Sequence, residues 1–270
     1  MTSLAKTLPI AGAAALAVLV LAVPAEAGQD IWPTLKQQAF GDRPIQAEDG
    51  AVVLELPATA EDAALVPLTV RVPPHVKQGL KSLTLFIDKN PDPKIATLTF
   101  GPAAGRGGER SFSTRVRIED FSHVRAVLET EDGTLHMASR FIAAAGGCAA
   151  MAAKDPETET VDIGKTLVKV FPPALPQSPV WSAQVMIKHP NANGMQLDIN
   201  TANFIPARYV KEMVVKRDGE LVFKMDSTFS ISTNPNFRFT FGKGSENNLD
   251  IAISDTDETR FAAKSGRRGS

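Results

Sequence analysis

The chain has 270 residues, and its 29 Lys plus Arg nearly balance its 30 Asp plus Glu. That balance argues against a nucleic-acid binder, which carries a basic excess. A hydrophobic content of 43% is ordinary for a globular protein, and plentiful Pro and Gly with few aromatics apart from Phe suit short strands joined by turns.

Residues 1–27 read as an export signal. Lys6 gives a positive start, Ile10 to Val23 is an apolar run of signal length, and Ala25-Glu26-Ala27 is an Ala-x-Ala cleavage site, so the mature chain is expected to begin at Gly28. The run is short for a membrane span, and no later stretch is long enough for one. The expected location is the periplasm, where disulfides form.

Asp30 to Gly41 predicts one short helix. Asp30 suits the cap, Pro33 the first turn and Gly41 the end. From Ala51 the pattern turns to strands: Val52–Leu56, Leu68–Val72, Leu83–Ile87, Ile95–Phe100 and Ser111–Ile118 are short, β-branched and partly alternating. In the last of these Phe112, Thr114, Val116 and Ile118 face one way, Arg115 and Arg117 the other. Val124–Thr130 and Thr134–Ile142 flank Asp132-Gly133, a hairpin signal. Residues 28–142 therefore read as a β-sandwich with an N-terminal helix.

Residues 143–175 read as a flexible arm and linker, since a structureless connection this long is more often functional than structural. Its Ala content favours a helix, but Gly146-Gly147 oppose one at about 1 kcal/mol per Gly. A second, smaller β-sandwich spans 176–262. Val185–Lys188 opens it, and Val210–Lys216 and Leu221–Phe223 form a hairpin around Asp218-Gly219. Phe237–Phe241 and Leu249–Asp255 complete it. Residues 263–270 read as a disordered tail.

The chain has one cysteine, Cys148, in the arm. An exported cysteine normally pairs, so one without a partner in its own chain is a buried spectator, an intermolecular link or a working thiol. Gly146, Gly147, Ala149 and Ala150 have no bulk, which suits a thiol carried exposed on a mobile arm. From Ile142 to Cys148 the arm reaches roughly 20 Å at most. Its thiolate would be the nucleophile, although no cation adjoins it in sequence. A cysteine hydrolase needs a His base, and His75, His123, His136 and His189 lie in no catalytic signature, so no catalytic residue is assigned. Cys148 with Met151 and a His would offer soft ligands to Cu(I), but the pattern is weak and no metal site is assigned. A non-catalytic adaptor for a dehydrogenase is the other alternative. Gly105-Arg106-Gly107-Gly108 reads as a hairpin loop rather than a phosphate loop. Asp255 and Asp257 lack the full calcium-loop spacing.

Gly146-Gly147-Cys148 resembles the carrier tail of SoxY. The segments Ile187-Lys188-His189-Pro190, Asn203-Phe204-Ile205-Pro206-Ala207, Arg217-Asp218-Gly219 and Ile231-Ser232-Thr233-Asn234-Pro235 resemble SoxZ. With Phe40-Gly41-Asp42-Arg43-Pro44 and Ile87-Asp88-Lys89-Asn90-Pro91, the chain resembles the single-chain, quinoprotein dehydrogenase-associated SoxYZ-like sulfur carriers over essentially all of its mature length. The resemblance implies an all-β fold of two immunoglobulin-like β-sandwich domains in tandem, and a carrier that is not an enzyme. It implies a covalent sulfur adduct on Cys148 and no other cofactor. The implied partners are periplasmic sulfur-oxidation enzymes handling thiosulfate-type sulfur, or a PQQ-dependent dehydrogenase with cytochrome c. A disulfide dimer through Cys148 stays open. Two departures stand out: Ala149-Ala150 replace a second Gly-Gly, and the cysteine lies at the tip of a loop rather than in a terminal tail.

Overall fold

A computed structural model describes residues 30–148, 162–198 and 201–265. The helix is α1 (Trp32–Phe40), closed by the Gly41 amide donating to the Gln37 carbonyl. Trp32, Leu35 and Phe40 lay its apolar side on Phe86, Val127, Leu135 and Met137. Trp32 meets Phe86 edge-on at 5.5 Å, and the Arg125 guanidinium, itself gripped by Asp88, stacks over Trp32 at 4.7 Å. The helix is thereby fastened by apolar area and one cation–π contact.

The first-half strands are β1 (Ile45–Ala47), β2 (Val53–Glu55), β3 (Val66–Val72), β4 (Leu80–Ile87), β5 (Lys94–Phe100), β6 (Arg110–Val116), β7 (Ser122–Thr130) and β8 (Leu135–Ile142). The second-half strands are β9 (Thr166–Phe171), β10 (Val180–Ile187), β11 (Val210–Arg217), β12 (Glu220–Ser227), β13 (Asn236–Gly242), β14 (Leu249–Asp255) and β15 (Arg260–Lys264). Alternation sets their faces: β3 and β6 bury every second residue, as strands with one face in a core must. The Asp218-Gly219 turn has φ of 49° and 88°, the two left-handed residues of a tight hairpin.

These strands make two sheets, and each sheet runs through both halves. The larger has the order β1-β8-β7-β4-β5-β12-β11-β14-β15 and the smaller β2-β3-β6-β13-β10-β9. The two sandwiches thus join edge to edge, β5 pairing antiparallel with β12 and β6 with β13. Phenylalanines fill the seam: Phe223 meets Phe239 at 4.9 Å, Phe112 at 6.4 Å and Phe100 at 6.4 Å, while Phe112 stacks on Phe237 at 6.0 Å. One apolar cluster, from Ala51 to Ile253, spans both halves. Pairing at the seam also covers four strand edges that would otherwise be left open.

Two segments depart from the sequence expectation. Thr166–Phe171, within the span read as arm and linker, is β9, antiparallel to β10. Residues 263 and 264, expected in a disordered tail, instead end β15, which pairs with β14 and packs Phe261 and Ala263 against the core; residues 266–270 of that expected tail lie outside the described residues. Both are edge strands whose patterns are weak alone and are completed by a neighbour. Among the described residues no helix is long and apolar enough to cross a membrane.

Candidate functional site

Cys148 lies against the loop that follows β6, with both halves around it. Its solvent exposure is 0%, so the projecting thiol expected from the sequence is instead docked. The reason lies in the same small residues. The Gly146 amide donates to the Glu119 carbonyl at 2.8 Å and the Gly147 amide to the Ile118 carbonyl at 2.9 Å. A Cβ on Gly147 would stand 2.1 Å from the Ala63 carbonyl oxygen and 2.7 Å from that of Ile118. Residues without bulk permit motion, but they also permit this close backbone approach. Gly147 is therefore required by the docking and Gly146 joins it through its amide, while Ala149, Ala150 and Met151 lie outside the described residues.

Two side chains complete the grip. The Cys148 amide donates to Glu119 Oε2 at 2.9 Å, and Asn193 Nδ2 of the second half donates to the Cys148 carbonyl at 2.5 Å. Glu119 is set in turn by Asn90, whose Oδ1 accepts its amide at 2.9 Å and whose Nδ2 donates to the Arg117 carbonyl and to Ser230 Oγ. Among the described residues Arg117 is the bulkiest fully buried side chain; its Nη1 donates to the carbonyls of Phe229 and Ile231, each at 2.6 Å. The outward face that alternation assigned to Arg117 is covered by the second half, where residues 229–232 run alongside.

Burial pushes the Cys148 thiol up to about 12, the Glu119 carboxylate adds to the rise, and Arg117 partly opposes it. Removing a charged form from water is costly, and a neighbouring carboxylate makes a thiolate costlier still. The docked cysteine is therefore a protonated, unreactive thiol.

The segment that carries Asn193 is itself braced. His189, Asn191 and Asn193 are all buried. His189 Nδ1 accepts the Asn191 amide at 3.0 Å, which leaves its proton on Nε2, facing Asp255 Oδ2 at 3.4 Å. Burial lowers the His189 pKa although Asp255 pulls it upward, so the ring is neutral. Asp255 also accepts Arg208 Nε at 3.0 Å and the amides of Asp257 and Thr259. Arg208 Nε lies 3.1 Å from Asp257 as well, so the aspartate pair weighed as a calcium-loop fragment holds an arginine. Asn191 ties this segment to Ile231 and Val210.

Of the other histidines, His136 bonds Asp49 and His123 packs on Phe141. Among the described residues no group of three or more His, Cys, Asp or Glu is placed to hold a metal. Sequence reasoning missed Glu119, Asn90, Arg117 and Asn193. The one usable signal was the run His189-Pro190-Asn191-Ala192-Asn193-Gly194, where three polar side chains alternate as if facing one side.

Comparison with known proteins agrees with this two-part build. The family model described as sulfur oxidation protein SoxY matches residues 36–148, and that described as sulphur oxidation protein SoxZ matches residues 170–265. No curated protein matches. Among solved structures, the sulfur carrier protein SoxY from Chlorobium limicola f. thiosulfatophilum is 24% identical, with 41% of this chain and 88% of that chain covered and a TM-score of 0.32. Superoxide reductase (neelaredoxin) from Ignicoccus hospitalis is 15% identical, with 37% and 94% covered and a TM-score of 0.31. The two family matches support a carrier role in sulfur oxidation rather than catalysis by the chain itself. This chain belongs to the SoxY and SoxZ families at once, as a SoxYZ-like fusion with its single cysteine at the last residue of the SoxY match.

Proposed function

We propose that the protein carries a sulfur compound covalently on Cys148 and presents it to partner enzymes that load, oxidise and release it. The observation that supports this most is the coincidence of the chain's one cysteine with the end of the SoxY match, at a place built by both halves. In the loading step a bond forms between Cys148 Sγ and a cargo sulfur. The thiol proton leaves to solvent or a partner base, and two electrons pass to an electron acceptor of the loading enzyme, such as a c-type cytochrome. The carrier supplies the nucleophile and the partner supplies the oxidant, so the chain needs no catalytic base of its own. The expected export signal of residues 1–27 favours the periplasm for this exchange, and the resemblance to quinoprotein-associated carriers points to a PQQ-dependent dehydrogenase system as its setting.

Intact-protein mass spectrometry on protein from its native source, with and without reductant, tests the reading. The expected result is reductant-sensitive added sulfur mass that maps to Cys148. A bare thiol under conditions where partner enzymes are expressed would overturn it in favour of the adaptor role.

A further inference from the structure

We infer that Glu119 and Asn193 form a latch that holds the carrier cysteine shut, and that Cys148 becomes reactive only when the segment Gly146–Cys148 leaves them. The inference deepens the carrier reading and rests on it for its purpose, but the latch has its own physical signature.

Three observations carry it. The segment is held at four backbone points: the amides of Gly146, Gly147 and Cys148, and the Cys148 carbonyl. These contacts come from both halves, Glu119 from the first and Asn193 from the second. The grip is therefore complete only when the SoxZ-family half is in place. The fit is steric as well as polar, since Gly147 touches backbone carbonyls that no other residue could approach. Finally, the acceptor of the Cys148 amide is a carboxylate that also faces the thiol, so the contact that closes the segment opposes thiolate formation.

These contacts differ from a core in what they release. Each polar group that lets go finds water, so a hydrogen bond contributes little net free energy. The segment can therefore open while the sheets stay intact, a local opening of the kind that precedes global unfolding. A partner that binds the freed segment draws the equilibrium toward the open form by its differential affinity.

The test is the alkylation rate of Cys148 by iodoacetamide, read by intact mass, with the urea-unfolded protein as reference. The wild type should react far more slowly than the unfolded chain, with a rate that rises only weakly at low urea, as a small opening requires. Glu119→Ala and Asn193→Ala should each accelerate alkylation by about tenfold, the effect of one lost hydrogen bond. Gly147→Ala should accelerate it most, and adding Glu119→Ala to it should change little, because both act on one opening. Thermal melts by circular dichroism confirm that the variants fold.

A wild type that reacts as fast as the unfolded chain would overturn the latch. So would one whose reaction follows global unfolding alone, or folded variants that react at the wild-type rate. Should the variants fail to fold, the urea dependence of the wild type decides by itself. These readings need no cargo, so the latch can stand if the native protein proves bare at Cys148, and fall if it proves loaded.

Discussion

Two of the contacts that join the halves are built on opposite principles. At the β5–β12 and β6–β13 seam the contact is a backbone ladder with phenylalanines beneath it. At Cys148 it is a set of single hydrogen bonds: Glu119 and the carbonyls of residues 118 and 119 in the first half accept from the segment's amides, and Asn193 of the second half donates to the Cys148 carbonyl. Apolar area cannot be returned to water cheaply, at about 25 cal/mol per Å², whereas a polar contact exchanges for water at small net cost. The seam is thus a permanent join and the cysteine site a reversible one. A carrier needs both: a fixed frame and a residue that leaves it.

The largest expected effect breaks the permanent join. Phe223 is 1% exposed and sits among Phe100, Phe112 and Phe239. Phe223→Ala should cost about 3–5 kcal/mol, measured as a shift in urea midpoint. Because each sheet runs through both halves, the whole transition should move as one; splitting into two transitions would show that the halves hold their structure separately. Arg117→Met comes next. It strips the carbonyls of Phe229 and Ile231 of a buried donor, with an expected loss of about 2–3 kcal/mol.

At the reversible join the effect lies in reactivity. Burial and Glu119 raise the Cys148 pKa to about 12, with Arg117 pulling the other way. A pKa raised in the docked state means that docking keeps its full strength below about pH 8.5, the usual cysteine value, and weakens as pH rises toward the docked value. The alkylation rate of the wild type should therefore keep climbing above about pH 9, where an ordinary thiol has levelled off. In Gly147→Ala the plateau should return to the ordinary range. A wild-type profile that levels near pH 8.5 would mean that the thiol is already free.

The acid side offers a smaller effect. Burial depresses the His189 pKa, so the neutral ring stabilises the fold above about pH 6.5, and that contribution is lost as pH falls through the lowered value. His189→Gln should flatten the decline in melting temperature between about pH 6.5 and 5. If the slope is unchanged, another group titrates there.

What was legible in the sequence follows from the same contrast. The Asp218-Gly219 hairpin could be read directly because its cause is local: two left-handed residues between alternating strands. β3 and β6 were legible from their alternation. Arg117 was not, because a strand's outward face looks the same whether water or another segment covers it, and residues 229–232 lie more than a hundred positions away. Gly146-Gly147 was legible as special but not in its direction, since the missing Cβ serves motion and close packing equally. β9 and β15 were hidden because an edge strand draws its order from the neighbour it pairs with.

The smallest predicted effect separates those two uses of glycine. Gly146 has φ +79° with no atom within 4 Å of where a Cβ would stand, while a Cβ on Gly147 would meet the Ala63 carbonyl oxygen at 2.1 Å. Gly146→Ala therefore costs only the left-handed conformation, about 1–2 kcal/mol, and leaves the docked contacts in place. Gly147→Ala forbids them. If packing is what these residues serve, Gly146→Ala should raise the alkylation rate only modestly and Gly147→Ala far more. If freedom of the chain is what they serve, both should slow the hand-over of cargo to a similar degree and neither should change alkylation greatly. The ratio of the two alkylation rates decides between them, because both variants remove the same conformational freedom and only one removes the fit.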